Sequence, residues 1–537
     1  MFGIRGATIL SLATFLSFFS LNADAADLHS IEIKGTKLFD SVTKEQFFIK
    51  GQHLDIRPID TSDRTYSVAY QPRGGLLTGS DPLTNEASCQ KDAQLMKDLG
   101  LNVIRVYEID PTKNHDACMS AFASAGIYLL LDIATPKYSI NRVTPEYDLT
   151  LYRSFVAAID AFAGYSNTLG FVAGNEVSND KSTSPASAFV KAALRDAKQY
   201  IKSNKQRYIP VGYASNDDQY IRDAIKDYFN CGDDMSRADF FGVNLYEWCG
   251  NSTFQTSGYS ERTKEFENYS IPVFLSEYGC NAVTPRGFTE VAALYSSDMT
   301  GVWSGGIVYE WSQEDNNYGL VKLDTSGNVT PLPDYQNLKA QLAKVSPQGV
   351  SMNSYNPTKQ PANCPAQNAN WQASSVLPPT PSEGSCKCMM NSLTCVVSKT
   401  VLDSASSDKT LLGTQLNAIC GMSNCSDISA DSTKGAYGAF SFCTPEDKLS
   451  YMYTVASNGD GSKCASSGYS MQAQPQNADI SSCSKIKATN PDTGISGGHI
   501  RVNAVSEASL SAVAYQVQLI SSAMGATFLL YAIEYFM

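Results

Sequence analysis

The chain has 537 residues, 43% of them hydrophobic and 18% charged, with a formal net charge of -12. That length exceeds one typical domain, and that composition excludes a fibrous or disordered chain. The acidic balance, with no Lys/Arg cluster, excludes a nucleic-acid partner held through its phosphates and leaves neutral substrates such as sugars open.

Arg5, an apolar run from Ile9 to Phe19 and a small-residue site at Ala23-Asp24-Ala25 predict a signal peptide over residues 1–25. The apolar run is shorter than the ~20 residues of a spanning helix. Fourteen cysteines suit an oxidising, secreted setting. Sequons at Asn251, Asn268, Asn328 and Asn424 permit glycosylation there.

Residues 26–345 read as the first folded unit. From Phe47 to about Val345, short apolar runs alternate with longer helical patterns, such as Leu151 to Tyr165 and Pro185 to Ile201, the latter with an expected cap at Ser184. This is the pattern of β/α units around a parallel sheet. Eight strands are expected: Phe47 to Gly51 (with a resumption at Val68 to Gln71), Val103 to Ile109, Tyr128 to Ala134, Leu169 to Glu176, Tyr208 to Ala214, Phe240 to Trp248, Ile271 to Tyr278 and Gly306 to Trp311. They predict an α/β fold, a (β/α)8 TIM barrel.

Glu176 ends the fourth of these strands and Glu277 lies at the end of the seventh, so a barrel brings both to its C-terminal face. Retaining glycoside chemistry needs such a pair, one carboxylic acid to protonate the leaving oxygen and one carboxylate to attack the anomeric carbon. Neighbouring strand ends supply Arg105, Tyr107, Asp132, Asn244, Tyr246, Tyr309 and Glu310, which suit a sugar site of stacking rings and hydroxyl-binding polar groups. Asn175, next to Glu176, is placed to meet a sugar 2-hydroxyl. Each tyrosine taken singly reads equally well as core packing.

The motifs Gly174-Asn-Glu176, Ser276-Glu-Tyr278, Asp81-Pro-Leu83 with Glu86-Ala-Ser-Cys89, Asn102-Val-Ile-Arg-Val-Tyr107, and Asp110-Pro-Thr-Lys113 with His115-Asp-x-Cys118 closely resemble the fungal β-1,3-glucanosyltransferases of glycoside hydrolase family 72. The resemblance covers about Phe47 to Cys364. It implies a retaining enzyme that cuts β-1,3-glucan internally and joins the new reducing end to the non-reducing end of another chain, elongating wall glucan; the residues themselves call for no diffusible cofactor. It implies Glu176 as acid/base, Glu277 as nucleophile, and Gln71, Tyr107, Asp132, Asn175 and Tyr246 as substrate contacts, with Tyr309 added from its strand-end position. It also implies the bridges Cys89 to Cys118, Cys249 to Cys280 and Cys231 to Cys364. Two alternatives stand beside it: a β-1,3-glucan hydrolase, and a non-catalytic glucan-binding wall protein. One departure is plain. Gln52 to Ser67, sixteen residues, intervene where relatives run straight from Ile-Lys-Gly into Val-Ala-Tyr-Gln, and an insertion inside a strand threatens its pairing and the placement of Gln71.

Residues 346–383, with Pro347, Pro357, Pro361 and Leu377-Pro-Pro-Thr-Pro-Ser382, read as a stiff linker, tied to the barrel through Cys364. Residues 384–485 hold Cys386, Cys388, Cys395, Cys420, Cys425, Cys443, Cys464 and Cys483, a disulfide-rich α+β domain whose pairing the sequence leaves open. It resembles the carbohydrate-binding module of one subgroup of that family. The aromatics of Tyr437-Gly-Ala-Phe-Ser-Phe-Cys443 and Tyr451-Met-Tyr453 serve either glucan binding or its core. A metal site is not expected, for paired C-x-x-C spacing and nearby histidines are lacking. Residues 486–537, with small residues at Ser496-Gly-Gly498 and Asn503-Ala504 and an apolar tail from Leu510 to Met537 interrupted by Gln516, Gln518 and Glu534, read as a spacer and GPI-attachment signal. The expected location is the outer face of the plasma membrane, held by a GPI anchor, and the cell wall.

Overall fold

The computed structural model describes residues 28–53, 81–324, 328–407, 410–464, 471–473, 479–485, 495–496 and 499–500. The leader at 1–25, Gln71 and the tail from Leu510 lie outside these residues. No helix among the described residues is long and apolar enough to cross a membrane.

Eight parallel strands close a barrel in chain order: β1 (Ile49–His53), β2 (Val103–Val106), β3 (Tyr128–Asp132), β4 (Thr168–Asn175), β5 (Val211–Ser215), β6 (Phe241–Asn244), β7 (Val273–Tyr278) and β8 (Trp303–Val308). Around them lie α1 (Glu86–Leu99), α2 (Asp116–Ser124), α3 (Leu149–Phe162), α4 (Ser187–Asn204), α5 (Arg222–Phe229), α6 (Tyr259–Phe266), α7 (Glu290–Leu294) and α8 (Pro333–Leu342). Successive residues of a strand face opposite ways. Tyr128 and Leu130 therefore pack inside the barrel with Val103, Leu169, Val172, Phe274 and Ile307, while Leu129 and Leu131 pack outward under the helices. Burial of both faces is why the strands read as unbroken apolar runs.

The seam between β8 and β1 pairs Gly305 with Ile49 and Val308 with Gln52. Gly305 has φ 102°, and a Cβ there would stand 2.1 Å from the Ile49 carbonyl oxygen, so only glycine lets the barrel close at this point.

Several expected boundaries are corrected. β1 does not end at Gly51, and the resumption expected at Val68 to Gln71 lies outside the described residues. The strand runs on through Gln52 and His53, which pair with Ile104 and Arg105, because ladder hydrogen bonds depend on backbone and accept whichever residues come next. Two residues of the insertion thus complete the strand. The eighth strand covers Trp303–Val308, since from Glu310 the chain turns into a loop and its amide donates to Tyr318 O at 3.1 Å. Ser184 opens a short 3-10 turn ahead of α4 without capping it; its hydroxyl accepts the Gln372 amide at 3.0 Å.

A small antiparallel sheet (Ile31–Lys34, Lys37–Asp40, Gln46–Phe47) stoppers the N-terminal mouth. Ile31 and Leu38 join the interior cluster, Phe47 meets Tyr128 edge-on at 5.4 Å, and the Tyr128 hydroxyl donates to His29 O at 2.6 Å. The opposite, C-terminal mouth is left for chemistry.

The linker does not hang free. Cys231 and Cys364 are bridged, Trp371 is fully buried against Tyr228, the Tyr228 hydroxyl donates to Ser374 O at 2.6 Å, and Thr380 donates to Asp196 at 2.6 Å. Beyond it, α9 (Glu383–Ser392), α10 (Lys399–Ser407), α11 (Leu411–Cys420) and α12 (Pro445–Ala456) pack around short strands such as Cys395–Val397, consistent with the α+β expectation. The bridges are Cys386 to Cys443, Cys388 to Cys483, Cys395 to Cys464 and Cys420 to Cys425. Leu149 of α3 enters this second core and its amide donates to Phe442 O at 2.9 Å, with Arg153 and Glu383 paired at 3.2 Å. Phe440, Phe442, Tyr451 and Tyr453 are buried in that core, and Tyr437 packs edge-on against Phe189 of α4 at 6.0 Å. These aromatics hold the unit together and to the barrel, with Tyr437 half-buried and the other four in the core.

Candidate active site

The site is built at the C-terminal ends of β2 to β8. Parity places Arg105, two residues beyond Val103, and Asp132, two beyond Leu130, toward the barrel axis. Both are buried, and they form a two-pronged ion pair, Nε to Oδ1 and Nη2 to Oδ2, each 2.8 Å. A buried charge is tolerated only when paired and hydrogen-bonded. Arg105 completes its set with Ser276 O at 3.2 Å and Asn175 Oδ1 at 3.1 Å. Asp132 is thus an anchor for Arg105.

Register breaks carry both glutamates to the site. β4 slips against β5 between Val172 and Asn175, and Glu176 follows with φ 49°, an uncommon conformation for a side chain of that kind. Its amide donates to Ala214 O at 2.9 Å and its carbonyl accepts Arg142 Nη2 at 3.0 Å. β7 slips against β6 between Leu275 and Glu277. Such irregularities re-aim side chains, and they gather at active sites.

The Glu277 carboxylate accepts the Tyr107 hydroxyl on Oε1 and the Tyr246 hydroxyl on Oε2, the latter at 2.9 Å, with Arg105 Nη1 3.6 Å from Oε1. Burial pushes its pKa up to about 7; Arg105 pulls against this, the charge of Glu176 adds to the rise, and the two phenols oppose it. Glu176 is more open. Its Oε1 accepts Asn244 Nδ2 at 2.8 Å, an amide shared with Asn175 Oδ1 at 3.1 Å, and Asn244 Oδ1 accepts the Ser276 hydroxyl at 2.7 Å. One network therefore links the two glutamates, one held by phenols and a cation, the other by a carboxamide.

Of the expected site residues, Glu176, Glu277, Tyr107, Asp132, Asn175 and Tyr246 meet in this network, while Gln71 lies outside the described residues. Tyr309 lies one ring away, packed edge-on to Tyr246 at 6.4 Å and to Tyr318 at 5.1 Å. Tyr318, which meets Tyr246 at 5.8 Å, and Arg142 were not foreseen; both sit on loops, where no periodicity marks them. The bridges Cys89 to Cys118, Cys249 to Cys280 and Cys231 to Cys364 are present. The four sequon asparagines are exposed.

A family model described as glucanosyltransferase, Glyco_hydro_72, matches residues 20–346, and an X8 domain model matches residues 393–471. pH-responsive protein 1 of Candida albicans is 46% identical over 460 residues, 83% of this chain and 80% of that protein. The 1,3-beta-glucanosyltransferase GAS2 of Saccharomyces cerevisiae is 44% identical over 427 residues, 78% of this chain and 75% of that protein. The solved structure of Saccharomyces cerevisiae Gas2p with laminaritriose and laminaritetraose superposes with TM-score 0.74 at 41% identity, covering 84% of this chain and 98% of that one. The chain belongs to the Glyco_hydro_72 family of glucanosyltransferases and carries an X8 domain after its barrel.

Proposed function

We propose that this chain is a retaining β-1,3-glucanosyltransferase in which Glu277 is the nucleophile and Glu176 the acid/base. The observation that carries the assignment is the asymmetry of the pair. Glu277 receives two phenol donors and faces Arg105, all of which favour its ionised form. Glu176, the more open, receives a single amide from Asn244 and is free to carry and pass a proton at the mouth.

Glu277 attacks the anomeric carbon as Glu176 protonates the leaving glycosidic oxygen, giving a covalent glucosyl-enzyme. Glu176, now ionised, takes the proton of the incoming hydroxyl, which displaces Glu277. A glucan hydroxyl gives transfer; water gives hydrolysis. Asn175, Tyr107 and Tyr246, which hydrogen-bond within the network joining the two glutamates, are read as substrate contacts together with Tyr309, which packs against Tyr246, and Gln71 is included on the resemblance alone. The X8 domain is read as an accessory glucan-binding unit, and the protein as secreted, glycosylated and held at the cell surface by a GPI anchor.

Product analysis tests this reading. The secreted protein, incubated with a reduced linear β-1,3-linked glucose oligosaccharide, should give products longer than the donor, and Glu176→Gln and Glu277→Gln should give none. Shorter products alone would make it a hydrolase. Binding without turnover would make it a wall lectin.

A further inference from the structure

The tyrosines beside the nucleophile stand on loops, and loop carbonyls inside a protein need donors that no ladder supplies. One buried cation supplies donors to several of them, the Tyr318 carbonyl accepting the Glu310 amide as well. Arg286, in the segment between β7 and α7, is 2% exposed. Its Nη1 donates to Tyr309 O at 2.6 Å and to Gly279 O at 3.3 Å, and its Nη2 donates to Tyr318 O. The guanidinium thus joins the chain just past β7, the chain just past β8 and the loop that returns beneath it.

Asp334, in the first turn of α8, holds Arg286 at both ends: Oδ2 accepts Nε at 2.6 Å and Oδ1 accepts the backbone amide at 3.1 Å. Asn337 donates to Arg286 O at 2.8 Å. Phe288 and Tyr318 cover the guanidinium plane, 4.7 and 5.6 Å from their ring centres. With Nε committed to Asp334, the remaining nitrogens are directed at carbonyls, a fixed fork that a lysine ammonium does not reproduce.

We infer that Arg286 is a positioning residue for glucan transfer: with Asp334 it sets the backbone under Tyr309 and Tyr318, and so the two rings that hold Tyr246 in hydrogen-bond contact with Glu277. The inference rests on Glu277 being the nucleophile. The rings of Tyr309 and Tyr318 each meet Tyr246 edge-on, and Tyr246 has its hydroxyl on Glu277. If the fork loosens, that phenol drifts, Glu277 loses a donor that favours its ionised form, and attack requires a higher pH. A role confined to stability would leave the pH profile in place.

The test uses the full secreted chain, comparing wild type, Glu277→Gln, Arg286→Lys and Asp334→Asn by product analysis, thermal melting and the pH dependence of kcat/KM. Arg286→Lys should lower kcat by about tenfold or more with a smaller change in KM, and should move the acid limb of kcat/KM upward by about half a pH unit. Asp334→Asn, equal in volume and still able to accept from Nε, should show the same displacement to a lesser degree. It decides the matter alone if Arg286→Lys is not secreted. Variants that melt lower yet keep the wild-type limb and kcat would overturn the inference while leaving the transferase reading intact. A wild type that makes no product longer than its donor would defeat that reading and this inference with it.

Discussion

Replacing Glu277 with glutamine should abolish transfer and, above neutral pH, make the protein harder to unfold. The carboxyl stands at about 7 in the folded state against an ordinary 4.5, so the folded state binds its proton more tightly than the unfolded one. Its contribution to stability is therefore complete below about 4.5 and is lost as pH rises through about 7. At about 1.4 kcal/mol per pH unit, that interval amounts to about 3 kcal/mol of native-state cost once Glu277 is ionised. The amide never ionises and escapes this cost. It gives up one phenol acceptor, a loss of about 1 kcal/mol that does not vary with pH. Arg105 is not stranded, because Asp132 holds it at two points. The melting temperature of Glu277→Gln minus that of wild type should therefore widen by roughly 6 °C between pH 4.5 and pH 8, taking about 2 °C per kcal/mol for a domain of this size. Differential scanning fluorimetry across that range reads the difference directly. An offset that is the same at both ends would refute the assignment of Glu277 as a carboxyl held up by burial.

Further outcomes follow from the same network. The kcat/KM for β-1,3-glucan should fall as pH drops below about 7, where Glu277 takes up its proton, and Tyr246→Phe should move that limb to higher pH; a limb unmoved in the variant would show that the Tyr246 phenol does not favour the carboxylate. Asn244→Ala removes the amide held on Glu176 and should cost about tenfold or more in kcat, about 1.4 kcal/mol in the barrier, with the donor KM nearly unchanged in steady-state assays. Replacing Cys231 and Cys364 together opens a loop with a sequence separation of 133; urea unfolding should show a loss approaching the chain-entropy value of about 5 kcal/mol, and Trp371 fluorescence should shift red. Deleting Gln52 to Ser67 joins Gly51 to Val68, which puts Val68 and Ala69 into the β1 register now held by Gln52 and His53 and Gln71 two residues past the strand end. Specific activity should then rise by about tenfold, reflecting about 1.4 kcal/mol of recovered substrate binding, and equal activity with and without the segment would remove Gln71 from the site.

The barrel was legible because fully buried strands write themselves as apolar runs, and eight of them separated by helical patterns leave few topologies. The two glutamates were legible as strand-end carboxylates. Their aim was not. Strict alternation from Phe274, which faces the barrel interior, would send Ser276 inward and Glu277 out toward the helices. The slip between Leu275 and Glu277 brings Glu277 to the site as well, while Ser276 keeps its hydroxyl on Asn244, and a one-residue slip leaves no mark on composition. The same holds for Glu176, turned by a positive φ that a glutamate seldom adopts. Arg286 was silent for another reason: beside Asp334, the groups it ties together are backbone carbonyls, which every residue has. The aromatics of the X8 domain could be read as core or as binding surface, and only packing distinguishes the two.

The way the linker is fastened governs what a protease would leave behind. The bridge from Cys231 to Cys364 is the covalent tie between barrel and linker, whereas every bridge of the C-terminal disulfide-rich unit closes within residues 386–483. A nick between residues 346 and 363 would therefore yield two fragments that still migrate as one species until a reductant is added. A nick between residues 365 and 385 would leave the C-terminal unit held by noncovalent contacts such as Leu149 on Phe442, and denaturant alone would shed it. The cysteine pair thus divides the linker into a stretch where cutting is harmless to the assembly and a stretch where it is not.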